Sequence, residues 1–204
     1  MTWLAAALLA SSAAVAILRL MIGAVWLHRR IQRDLAPAWA RRRGAAVPEA
    51  VVDIILRGGE PRQTWIAKGA PLDDLPEPTS RHLPEVHRLL RWLWRAGWAA
   101  GLGSVLLGAR NPGLAARRAG AIAVIAGAVG LFAAVAVFPR LWSLYHRLAY
   151  ANDDWQLPDD VLLAALYPER FYQRAAAIWF GSLAVGGLGI LAASALGRGA
   201  PRGG

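Results

Sequence analysis

The chemistry available to this chain rests on four histidines, no cysteine and two short stretches where acids, amides and aromatics gather. In the first, His82-Leu-Pro-Glu85-Val86-His87, a carboxylate follows an imidazole at a distance of three positions. The second begins at His146, passes Asn152-Asp153 and Trp155, and resumes at Tyr167-Pro168-Glu169-Arg170-Phe171. Imidazole titrates near neutrality, so a pair of histidines can supply both a general base and a general acid. Without a thiol, the chain can form no disulfide, no Cys-ligated metal site and no thiol nucleophile. His82, Glu85, His87 and His146 form a donor set that zinc accepts. However, His-x-x-Glu-Val-His carries one residue too many for the His-x-x-Glu-His metalloprotease pattern, so neither a metal nor another cofactor is expected.

Something must hold these groups, and composition says what. The chain has 204 residues, 56% of them hydrophobic, against the roughly 45–50% of a soluble domain. Its mean hydropathy is +0.36 and its formal charge +10, with every basic residue but Lys68 an arginine. A helix needs about 20 apolar residues to cross a hydrocarbon core of about 30 Å. Four stretches qualify, at about 3–27, 89–109, 119–138 and 175–197. The first contains Arg19 and is bracketed by Trp3 and Trp26, while the second must include Arg91 and Arg95 to reach spanning length. The first run continues past its small-residue stretch and has no basic n-region, so an uncleaved span is expected rather than a signal peptide.

These spans predict an all-α membrane protein: a four-transmembrane-helix bundle in one membrane domain covering residues 1–204. A small extracytoplasmic cap, mostly irregular or α+β, occupies 28–88 between helices 1 and 2, and an extracytoplasmic loop occupies 139–174. Within the cap, Pro48-Glu49 opens a short amphipathic helix through Leu56, ended by Gly58-Gly59. Thr64–Ala67 reads as a short strand, and the Pro-rich run from Pro71 to Pro84 as irregular. The short connection with Arg110, Arg117 and Arg118 and the tail with Arg198 and Arg202 lack acids, which places both termini in the cytoplasm. Arg29, Arg30 and Arg33 then fall on the outer side, against the trend.

In this topology His82, just before the second span, and His146, just after the third, emerge on the same outer side at similar depth. They are either a pair or two independent interfacial residues. His28 reads as a headgroup-level residue, and His87 as solvated or lipid-facing. Arg88, Arg91 and Arg95 share one helical stripe suited to an anionic substrate group or to lipid headgroups.

The run His146, Asn152-Asp153, Trp155, then Leu166-Tyr167-Pro168-Glu169 and Phe171, resembles the signature of the bacterial lipoprotein intramolecular transacylases (Lit) and their integral-membrane relatives. His82, Glu85 and Val86 resemble the second motif of that family. The resemblance implies an enzyme of the bacterial cytoplasmic membrane with its active site on the outer face. Its partners would be membrane lipids and a diacylated lipoprotein substrate. Such an enzyme moves the sn-2 acyl chain of a diacylglyceryl-cysteine to the amine of that cysteine. His82 and His146 would form the catalytic dyad, with His82 as base and His146 as acid or oxyanion donor, or the reverse. Glu85, Asn152, Asp153, Trp155 and Glu169 would support them, and Arg91 and Arg95 would bind the headgroup region. Transfer between two groups of one substrate needs no enzyme nucleophile, and proximity supplies much of the barrier reduction.

Two other classes fit parts of the sequence. One is a metal-dependent membrane hydrolase built on the same histidines. The other is a non-enzymatic membrane assembly or transport subunit, although transporters place polar elements near mid-membrane and the third and fourth spans here are uncharged. Nucleic-acid binding is excluded by the absence of a soluble basic domain or recognisable motif.

Overall fold

A computed structural model describes residues 1–149, 157 and 161–196; Asn152, Asp153 and Trp155 lie outside them. The described residues are almost entirely helical. They form α1 (Thr2–Gly23), α2 (Val25–Leu35), α3 (Ala38–Arg43), α4 (Val47–Arg57), α5 (Pro61–Ala67), a single turn at Leu72–Asp74, α6 (Glu77–Gly108), α7 (Pro112–Ala136), α8 (Phe138–Ala149), α9 (Leu162–Leu166) and α10 (Glu169–Leu196). Helices α1, α7 and α10 are long and apolar enough to cross a membrane. The chain divides into two compact units: 1–19 with 93–134 and 176–204, and 20–92 with 135–175.

The first unit is built on close helix approach. A methyl group added at Gly127 would lie 2.7 Å from the Phe180 carbonyl and 2.6 Å from the Ala184 amide, so α7 and α10 meet backbone to backbone. Gly120 and Gly187 repeat this closeness nearer the other end of the pair. Apolar helices in lipid gain little from burying more apolar surface, so such small-residue contacts supply the packing. Arg19, the charge inside the first apolar run, lies with its guanidinium 4.2 Å from the centre of the Trp94 ring. This cation–π contact gives the charge a partner on α6. Trp98, Leu106, Val129 and Phe132 face outward, as lipid-facing side chains do.

The second unit buries an ordinary apolar core. Ile31, Val47, Ile54, Trp65, Leu166 and Phe171 are all buried in it. Trp65 is fully enclosed, and its indole N–H donates to the Pro71 carbonyl at 2.9 Å. Burying a side chain of this size is worth about 3 kcal/mol, enough to explain why α5 packs inward. The strand expected at Thr64–Ala67 is instead part of α5. Pro61 stands in the first turn, and the Glu60 carboxylate accepts from the Arg62 and Gln63 amides. Together these set a helix start that outweighs the local β-propensity. The irregular run expected through Pro84 is helical from Glu77 onward, with Pro84 inside α6.

Helix α4 runs as its residues suggest. It ends at Gly58, whose φ of +76° is left-handed and whose amide donates to the Ile54 carbonyl at 2.8 Å. The next carbonyl, of Ile55, is met by Nδ1 of His87 at 2.8 Å. His87 is therefore a helix-end partner and not the solvated residue its neighbours suggest. His28 is also displaced from expectation. It is 8% exposed, with Nδ1 3.3 Å from the Tyr167 hydroxyl and its ring edge-on to Phe171. Burial lowers its pKa below the ordinary histidine value, against smaller opposing contributions from the Met21 and Ile22 carbonyls.

Candidate active site

His82 projects from the first turns of α6 and His146 from α8, both in the second unit. Their ring centroids lie 6.2 Å apart and the planes differ by 33°. Residues 64 positions apart thus form a pair close enough for one small group to reach both imidazoles. The spacing of Glu85 puts it one turn along from His82, and its Oε2 lies 3.6 Å from His82 Nδ1. That separation is an ion-pair distance and too long for a good hydrogen bond.

His146 has the opposite surroundings. It is 3% exposed, and its Nδ1 lies 2.9 Å from the Trp142 carbonyl one turn back. A carbonyl only accepts, so Nδ1 carries the proton and the neutral ring keeps its lone pair on Nε2. Burial lowers the pKa of His146, the Trp142 carbonyl opposes this, and repulsion from His82 adds a smaller lowering. At neutral pH His146 is therefore a neutral ring with a basic Nε2, and the ring it faces, His82, stands beside a carboxylate.

Aromatic side chains hold His146 in place. The Trp142 ring meets it edge-on at 4.1 Å and Tyr145 does so at 4.9 Å. Trp142 is itself stacked on Tyr172 of α10 at 4.4 Å and on Phe138 at 5.6 Å. This aromatic clamp escaped the sequence reading. The signal was present in the spacing Phe138, Trp142, Tyr145, which repeats along one face of a helix.

The remaining candidates are not gathered at the pair. Glu169 is exposed in the first turn of α10, where its charge favours the helix N-terminus. Arg91 and Arg95 are exposed on α6, about 13 Å and 20 Å along the helix axis from His82 at 1.5 Å per residue. His87 is turned to α4, and among the described residues no three His, Asp or Glu side chains come together as a metal-binding group.

Comparison with known proteins adds one finding. No family model matches the chain, and no curated protein sequence matches it. A solved structure does: the membrane integral lipoprotein intramolecular transacylase Lit from Bacillus cereus, determined in meso, superposes with a TM-score of 0.74. The match covers 97% of this chain and 95% of that one. The chain has the Lit fold. At 12% identity the likeness to Lit is one of fold, not of residues. Lit is membrane-integral, and with three spanning-length apolar helices in this chain the protein is a membrane protein.

Proposed function

We propose that the protein is a membrane transacylase acting on a diacylglyceryl-cysteine lipoprotein, moving the sn-2 acyl chain to the α-amine of the same cysteine. The observation that carries this reading is the His82–His146 pair, with ring centroids 6.2 Å apart, His146 buried and His82 beside Glu85, within a Lit fold. In this proposal Nε2 of His146 takes a proton from the α-ammonium, whose ordinary pKa is about 8. The amine then attacks the ester carbonyl. As the tetrahedral intermediate collapses, a C–N bond replaces the C–O bond, and His82, beside Glu85, carries the second proton of the attacking nitrogen to the departing glycerol oxygen. His146 gives the first proton to water, which resets both rings. This assigns the base to His146, the reverse of the order favoured from sequence, and it is supported by the proton on Nδ1 and by the burial of the ring. Each proton transfer is worth about 10²–10⁴-fold in rate.

The wider arrangement in this proposal has four spans, near 3–27, 89–109, 119–138 and 175–197, with cytoplasmic termini. Residues 28–88 form an outer cap and 139–174 an outer loop, so the dyad works at the outer face. Asn152, Asp153 and Trp155 have a supporting role in this proposal, Glu169 anchors the start of α10, and Arg91 and Arg95 meet the headgroup region.

The test is mass spectrometry of lipoprotein N-terminal peptides from a host that makes only the diacyl form. Expression of the protein should move one acyl chain from glycerol to nitrogen. His82→Ala and His146→Ala should each reduce that conversion at least 10²-fold. Loss of one acyl chain with a free amine would mean a hydrolase instead. Unchanged peptides, or full conversion by both variants, would end the proposal.

A further inference from the structure

Helix α2 has two chemically distinct faces. His28, Ile31 and Gln32 are buried in the core of the second unit, whereas Trp26, Arg29, Arg30 and Arg33 share the opposite, exposed face at i, i+3, i+4 and i+7. The exposed surface continues onto α3, where Trp39, Arg41, Arg42 and Arg43 also face outward. Between Trp26 and Arg43 there are six arginines and one acid, Asp34. The local acids cannot neutralise this. Glu49 takes Arg29, Asp34 is shared by Arg30 and Arg174, and Arg41 donates to the Arg33 and Ala36 carbonyls that end α2. Arg33 and Arg42 have no ion-pair partner among the described residues.

Chain continuity says where this face lies. Spanning-length α1 ends at Gly23, and after Ala24 alone α2 begins with Trp26 in its first turn. Arg174, which reaches back to Asp34 at 3.0 Å, stands in the opening turns of α10, another helix of spanning length. The surface therefore starts where one helix leaves the bilayer, and it is bonded to the start of a second. Trp26 is 71% exposed and Trp39 44%, the setting in which indole rings occupy the headgroup level. This also accounts for Arg29, Arg30 and Arg33, which run against the charge trend of the loops. They belong to an interfacial helix, where charge is matched to lipid and does not report sidedness.

We propose that the outward face of α2 and α3 docks on the headgroups of anionic phospholipids, with Trp26 and Trp39 at the acyl boundary and Arg33 and Arg42 as the main phosphate-binding charges. The partner is the bilayer that α1 crosses. The proposal depends on the membrane location and not on the acyl-transfer reading.

The experiment reconstitutes the full chain in phosphatidylcholine vesicles containing a small fraction of brominated phosphatidylglycerol or, in parallel, brominated phosphatidylcholine. Quenching of Trp26 and Trp39 is obtained as the difference from a Trp26→Phe/Trp39→Phe version. The anionic lipid should quench at several-fold lower fraction than the zwitterionic one. Arg33→Gln/Arg42→Gln should cut that preference about fivefold per arginine at low salt, and about 1 M salt should erase it. Arg110→Gln/Arg117→Gln removes the same charge elsewhere and should leave it intact. Equal quenching by the two lipids overturns the proposal, as does a preference unmoved by the Arg33/Arg42 changes. Displacement by inorganic phosphate at matched ionic strength would mark a free-anion site and would also overturn it.

Discussion

Replacing Gly58 with alanine probes the contact that fixes α4 against the helix bearing His82. The residue has a φ of +76°, and an L side chain pays roughly 1–2 kcal/mol to stay there. Its new methyl group would sit 2.5 Å from His87 Nε2 and 2.8 Å from Cε1, so the ring has to move. Moving it breaks the 2.8 Å bond from Nδ1 to the Ile55 carbonyl, which is worth about 1 kcal/mol with more for the orphaned acceptor. The expected total is about 2–4 kcal/mol, or a fall in unfolding midpoint of roughly 5–15 °C in detergent. The informative measurement is a double-mutant cycle. In a His87→Ala background the ring is gone, so Gly58→Ala should cost only its conformational share of roughly 1–2 kcal/mol. The two changes should therefore couple by at least about 1 kcal/mol. If the alanine costs the same with and without His87, the ring contact is irrelevant and the reasoning is refuted.

Three other outcomes are expected. Burial lowers the pKa values of His28 and His146, so the unfolded chain binds protons first as pH drops below 6.5. Stability should then rise with pH from those lowered values up to 6.5 and level off above. His28→Gln should flatten part of that slope in a thermal series. Acyl transfer should likewise persist below pH 6.5 and fail only as pH falls through the lowered pKa of His146, since its neutral ring is the proposed base. Trp142→Ala removes the ring 4.1 Å from His146, and should raise that pKa toward 6.5 and slow transfer about tenfold or more, while Trp142→Phe retains most of both. An imidazole titration by NMR separates this from a simple loss of fold. Finally, Gly127→Ala drives a methyl into the backbone of α10 and should cost about 3 kcal/mol or more. Gly189→Ala meets nothing within 4 Å, and should be neutral or stabilise by up to about 1 kcal/mol in an unfolding assay.

Hydropathy was enough to mark three helices of spanning length, α1, α7 and α10, because transfer into lipid sums over a local window and needs no knowledge of partners; the second expected span, 89–109, falls in α6, which is not among them. The start and stop of α4 were equally legible in Pro48 and Gly58, whose backbone preferences act within a turn. Topology alone could bring His82 and His146 to the same side, but not measure their separation. The rest depended on contacts between distant parts of the chain. Tyr167, 139 positions away, turns His28 from a surface residue into a buried one. Ile55, 32 positions away, ties His87 to the end of α4. Tyr172 stacks on Trp142, which in turn abuts His146, and it lies on another helix that no helical period could associate with it. Residue types and spacing thus determined which groups could carry the chemistry and that a membrane would hold them. Only the tertiary structure decided which imidazole is buried and where its proton sits, because desolvation and neighbouring dipoles are properties of the packed surroundings.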